Sequence, residues 1–133
     1  MKTFQETLSK EAFEGLSKLG HILPGRNSYT FLAQNYPDDL MNLIESGVLE
    51  NYTLTFALEI AGYIKDSNKI AKVLCSFLNH KSLIVREGAL LGLTNTVNSE
   101  AINDLKIFYQ KETCKELKDL AKDIIDEFEE ENK

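Results

Sequence analysis

Val85-Arg86-Glu87-Gly88-Ala89-Leu90-Leu91-Gly92-Leu93 has a counterpart 32 positions later, in Leu117-Lys118-Asp119-Leu120-Ala121-Lys122-Asp123-Ile124-Ile125. Each copy opens with an apolar residue, a cation and an acid, and the alanine recurs at Ala57, Ala89 and Ala121. The same offset sets Asp66-Ser67 on Asn98-Ser99, Ile70 on Ile102 and Val73 on Leu105. A period of this length holds two helices and a turn, a unit that buries its apolar face only by stacking on the next. The expectation is an all-α fold: a short α-solenoid of antiparallel helix pairs, with seven or eight helices. Solenoids mostly bind other proteins.

Helical spacing continues outward from the repeat. Thr3 and Glu6 have the capping-box pattern, and Phe4, Leu8, Ala12, Phe13, Leu16 and Leu19 make one apolar stripe that Gly20 ends. A turn follows over 23–27, then a short helix over 28–35. Pro37 suits the first turn of a helix carried by Leu40, Leu43 and Ile44 and closed by Gly47. Further helices are predicted over 53–64, from Ser67 or Asn68 through Leu78, over 83–97 and from Ser99 through Tyr109. A last one begins at a second capping box, Thr113 with Glu116, and carries Leu117, Leu120, Ala121, Ile124, Ile125 and Phe128 on one face. Gly88, Ala89 and Gly92 share a face, which would let a neighbouring helix approach closely.

Composition bounds the chemistry. At 133 residues the chain reads as a single domain, residues 1–133, long enough to bury about two-thirds of its unfolded surface. Within it, 1–52 are divergent N-terminal helices, 53–128 the repeats and 129–133 an acidic tail. The net charge of −6 argues against nucleic acid as a partner, because phosphate binding needs clustered Lys and Arg. The two cysteines, Cys75 and Cys114, are far apart in sequence and suggest neither a disulfide framework nor a zinc site. A reducing, cytoplasmic setting is expected. The acidic start Met1-Lys2-Thr3-Phe4-Gln5-Glu6 is unlike a signal peptide, and no stretch approaches the ~20 apolar residues of a membrane span.

The stretch Asn79-His80-Lys81-Ser82-Leu83-Ile84-Val85-Arg86-Glu87-Gly88-Ala89-Leu90-Leu91-Gly92-Leu93 runs from a polar turn into Val-Arg, then Ala three residues on and Leu four beyond that. In this, residues 53–128 resemble HEAT repeats. The resemblance implies that Arg86 braces the turns of adjacent repeats, with Lys118 in the equivalent place of the next unit. Leu54 breaks the pattern in the preceding one, and the Asp-Pro of the family's turn is missing.

The segment 27–64 contains no Lys, Arg or His. It holds five acids (Asp38, Asp39, Glu45, Glu50, Glu59) and six of the twelve aromatics (Tyr29, Phe31, Tyr36, Tyr52, Phe56, Tyr63). Carboxylates among aromatic rings suit the Lys and Arg side chains of a basic partner. Alternatively, Phe31, Phe56 and Tyr63 are core and the acids a solvated face. The candidate contact residues are Tyr36, Asp38, Asp39, Glu45, Glu50 and Tyr52. A second acidic run, Asp123, Asp126, Glu127, Glu129, Glu130 and Glu131, reads as a solvated helix end or as a charge that speeds encounter with a basic protein.

Catalytic signatures are sparse. His21 and His80 fall in turns with no acid or nucleophile in motif, Cys75 reads as core, and Cys114 follows a helix cap. Asp38-Asp39 lacks companion metal ligands, and no phosphate loop or nucleophile elbow is present. The expectation is a non-enzyme without cofactor or metal. In size and acidity the chain resembles small bacterial immunity proteins of contact-dependent and polymorphic toxin systems. That resemblance implies neutralisation of a basic toxin domain, such as a nuclease, by an acidic surface laid over its groove. The alternative is a HEAT-like adaptor or assembly factor that holds a peptide or subunit of a housekeeping complex.

Overall fold

Burial follows the apolar stripes. Leu16, Leu32, Leu40, Leu43, Leu58, Leu74, Leu90, Leu93, Leu105 and Leu117 are all fully enclosed in one continuous core. The computed structural model describes residues 2–65 and 67–133; Met1 and Asp66, and with Asp66 one position of the internal match, lie outside them. Among the described residues the chain forms nine helices and no strand: α1 (Phe4–Thr7), α2 (Lys10–Leu19), α3 (Arg26–Asn35), α4 (Pro37–Ser46), α5 (Asn51–Ala61), α6 (Ser67–Ser76), α7 (Leu83–Thr96), α8 (Ser99–Lys111) and α9 (Lys115–Glu131). No helix among these residues is long and apolar enough to cross a membrane.

The stops stand where backbone chemistry puts them. Gly20 (φ 76°) and Gly47 (φ 82°) take the left-handed conformation that ends α2 and α4. His21 N–H closes the first of these ends on Leu16 O at 2.9 Å. Pro37 opens α4, where its missing N–H costs nothing.

Two expectations are corrected. The single N-terminal helix is two, because the chain turns extended at Leu8 and Ser9. The Ser9 N–H donates to Asp39 Oδ1 (2.7 Å) and its hydroxyl to Oδ2 (3.1 Å), while Ser9 Oγ accepts the Ala12 N–H (3.2 Å) and caps α2. A buried carboxylate on α4 thus outcompetes the helical ladder at this serine. The Thr113–Glu116 capping box does not form either. Glu112 supplies the acceptor, with Oε1 taking the N–H of Thr113 (2.9 Å) and of Cys114 (3.1 Å) ahead of α9.

Helix α5 packs most extensively on α7, and α7 also touches α6 and α9. Helix α3 lies on the other side of α5, α4 packs on both α3 and α5, and α8 touches α6 and α9. The α5–α7 contact is made backbone to backbone. A Cβ at Gly88 would sit 2.6 Å from Thr55 O, one at Gly92 would press on Leu58 O, and one at Gly62 would press on Gly92 O. Thr55 Oγ1 donates to Ile84 O across the same seam (2.7 Å). The pairing of Thr55 with Gly88 and of Leu58 with Gly92 means that the two helices run in the same direction.

Arg86 ties the connections together. Its Nη1 donates to His80 O (3.0 Å) and Lys81 O (3.2 Å) in the α6–α7 turn, and its Nε and Nη2 donate to the Glu112 carboxylate (2.7 and 3.3 Å) between α8 and α9. Lys118, one period on, donates to Tyr109 O (2.7 Å), with its ammonium 4.3 Å from the Tyr109 ring centre. Burial is the largest influence on the Glu112 carboxyl and raises its pKa. The hydrogen bonds from Arg86, Cys114 N–H and Thr113 N–H, with the Arg86 charge, together outweigh it and hold the group below its ordinary value of 4.5.

Two outcomes are expected. Gly88→Ala gains ~1 kcal/mol of helix propensity, but the added methyl meets backbone that cannot step aside, at ~1–3 kcal/mol. Urea unfolding should therefore show a net loss of stability; an unchanged or raised midpoint would reject the close seam. Arg86→Met should cost about 3–5 kcal/mol by stranding a buried carboxylate, and Arg86→Met with Glu112→Leu should cost less than Arg86→Met alone. Because folding lowers the Glu112 pKa, its contribution is complete above 4.5 and is lost as pH falls through the depressed folded value. Urea titrations from pH 7 down to 3 should show this slope, and Glu112→Gln should flatten it.

Candidate functional site

Helix α4, the start of α5 and the N-caps of both carry the six predicted contact residues, and the fold sorts them into two groups. Asp38 sits in the first turn of α4 with its side chain 90% exposed; Lys69 Nζ approaches it only to 3.9 Å. Glu45 is exposed in the last turn of the same helix, where there is no basic residue and the helix dipole opposes a negative charge by ~0.3–1 kcal/mol. Glu50 is exposed at the N-cap of α5, its side chain making no capping bond. Tyr52 is 69% exposed and meets Phe56 edge-on, ring centres 5.6 Å apart.

Asp39 and Tyr36 stand apart from these four. Asp39 is 9% exposed, and both its oxygens are committed to Ser9. Tyr36 is half-buried between α3 and α4, its ring tilted 6.0 Å from that of Phe31 and its N–H bonded to Leu32 O (2.7 Å). The local rule that places an acid early in a helix gives Asp38 and Asp39 the same address. Only the packing of α1 against α4 separates them.

A neighbouring feature involves residues outside the predicted set. Arg26, at the start of α3, lies with its guanidinium 4.3 Å from the Phe56 ring centre and donates to Glu59 Oε1 at 3.3 Å. Beyond this bridge, α3 and α5 enclose a groove of about 900 Å3. Ala33, Pro37, Ile60 and Ile64 line it, Tyr63 stands 68% exposed in its wall, and Arg26 and Lys65 bring it positive charge. Of the three aromatics read as core, Phe31 and Phe56 are half-buried, but Tyr63 faces solvent. The signal was present in the spacing: 52, 56, 59 and 63 recur with helical period, out of phase with the buried 54, 57, 58 and 61.

Cys75 and Tyr29 are buried, and Cys114 and His80 are bonded within the fold. Burial, followed by the charge of Asp104 and a hydrogen bond with it, pushes the Cys75 thiol up to about 12. Cys114 is half-exposed and its thiol donates to Glu116 Oε2 (3.3 Å). His80 Nδ1 accepts the Ser82 N–H (3.0 Å), and its ring stacks beside Phe77. Tyr29 is wholly buried, and burial raises its phenol to about 12 against a weaker opposing effect of Thr53. The Tyr29 hydroxyl has no hydrogen bond of good geometry, and the Thr53 hydroxyl donates to Glu50 O (3.0 Å). Among the described residues, no three His, Cys, Asp or Glu side chains gather as a metal site would need.

The chain matches no family model, no curated protein and no solved structure.

With a pKa near 12 and little exposure, Cys75 is almost wholly thiol at pH 8 and shielded from reagents. Titration of the native protein with Ellman's reagent should release one equivalent promptly, from Cys114, and the second only after unfolding. A native Cys114→Ser variant that still reacted at the prompt rate would overturn that assignment.

Proposed function

We propose that this chain is a protein-binding module, an immunity protein or antitoxin that neutralises a basic toxin domain by covering its active groove. The single observation that carries the reading is the acidic strip of α4 and the α4–α5 connection. Asp38, Glu45 and Glu50 are all exposed, the exposed Tyr52 ring lies beside them in the chain, and the segment supplies no cation of its own. Glu45 adds weight, because an acid at the wrong end of a helix, with no ion pair among the described residues, costs stability. Such a strip mimics the charge of nucleic acid, raises the association rate and meets Lys and Arg on a nuclease surface. Asp39 drops out of the contact set, since its carboxylate holds Ser9.

We read the architecture as a short HEAT-like solenoid. Three features support this: the α3, α5, α7, α9 sequence of neighbours, the α6–α8 contact, and the Arg86 bridge between successive connections. The same features support the second reading, an adaptor whose row of helices holds a subunit of a larger complex. The partner's charge separates the two.

Asp38→Lys, Glu45→Lys and Glu50→Lys combined should leave the helical circular dichroism unchanged, because all three side chains are in solvent. Affinity capture from the native cells should yield a stoichiometric basic protein that is lost at high salt and lost from the triple variant. That protein should arrest growth when expressed alone and be harmless when co-expressed with the parent chain. A partner retained at high salt and by the triple variant would favour the adaptor, and a captured protein without toxicity would sink the immunity reading.

A further inference from the structure

Arg26 and Lys65 bracket the cation-free segment, and they are the only basic side chains other than His between Lys18 and Lys69. Thirty-eight residues separate them in sequence, yet the fold brings both to the lining of the α3–α5 groove. A chain of net charge −6 thus places two cations around an apolar recess. The volume of about 900 Å3 lies within the range of small-molecule sites, which are lined mainly by apolar side chains with a few polar groups that fix orientation.

The geometry points to a binding site for an amphipathic monoanion, a small molecule with an apolar body and one carboxylate. The body lies on Ile60 and Ile64 and against the exposed ring of Tyr63. The carboxylate goes to Arg26 and Lys65. Arg26 gives Glu59 one bond from Nη2, and the ring of Phe56 holds its guanidinium in place, so most of its five donors stay open. Lys65 makes no ion pair among the described residues, and its ammonium is free to meet the same head group. Glu59 sets the charge selected. Its carboxylate lies in the same lining, so two cations and one anion leave a place for a single negative charge and disfavour a dianion. This site is separate from the acidic strip of α4 and does not rest on the toxin-binding reading.

Decanoate, decyl phosphate, decyltrimethylammonium and decyl maltoside, each below its micellar range and at about pH 8.5, where the phosphate is a dianion, test the proposal by isothermal titration and amide chemical shifts. Decanoate should bind at one site and move the amides of Thr30, Gln34, Ile60 and Tyr63. It should bind about tenfold or more tightly than the cationic, neutral and dianionic decyl probes. Lys65→Gln, at an exposed position, should weaken decanoate binding about threefold to tenfold and leave decyl maltoside unaffected; Tyr63→Ala should weaken both. Equal binding of all four probes, shifts centred elsewhere, insensitivity to Lys65→Gln, or no saturable decanoate binding would each overturn it. Loss of the toxin partner by the α4 triple variant with decanoate binding intact would show that the two surfaces act independently.

Discussion

The approach of α5 to α7 is the constraint from which the rest of the structure follows. With Gly62, Gly88 and Gly92 at the seam, the two backbones come so close that the carbonyl oxygens of Thr55, Leu58 and Gly92 stand where Cβ atoms would press. Fixing that distance fixes the rotation of α5 about its axis. Leu54, Ala57, Leu58 and Ala61 then face the core, and Tyr52, Glu59 and Tyr63 are left to the outside. Gly88 and Gly92, inside α7, each cost helix propensity of ~1 kcal/mol relative to alanine, so close packing across the seam must offset two such losses. The candidate groove depends on this arrangement, because its α5 wall is the strip that the seam turns outward.

Arg86 and Glu112 act on the connections as the glycines act on the helices. A largely buried ion pair contributes little net stability once desolvation is counted, but it is intolerant of misplacement. Every Arg86 nitrogen has a fixed acceptor, and the Glu112 oxygens are shared among a guanidinium and two backbone N–H groups. The pair therefore sets where α9 starts relative to the α6–α7 turn. It also accounts for the lowered carboxyl pKa, since the acceptor is preorganised for the ionised form.

Charge is distributed unevenly over the surface that results. On α9, Lys115 pairs with Asp119 and Lys122 with Asp126, the ordinary one-turn pairs of a solvated helix. On α4 the acids have no such partners one turn away, and Lys69, which approaches Asp38, comes from another helix. Around the α3–α5 groove the sign reverses. The described surface thus carries an acidic strip on α4 and, apart from it, a groove with two cations in its lining.

Helix periodicity, the glycine stops at Gly20 and Gly47 and Pro37 at a helix start were legible in the sequence, because each depends on a few neighbouring residues. The small-residue face at Gly88 and Gly92 was legible too, as a place where something comes close, though not as a place where α5 does. The break at Ser9 was not, because its cause is a carboxylate on another helix. For the same reason Asp38 and Asp39 looked alike, and the Thr113–Glu116 box looked sound although Glu112 takes its place. Arg26 and Lys65 marked the ends of a segment until the fold brought both to the lining of one groove. Local stereochemistry determined the helices and their ends; long-range packing, which brings charge and apolar surface together from distant positions, decided which side chains remain free to bind.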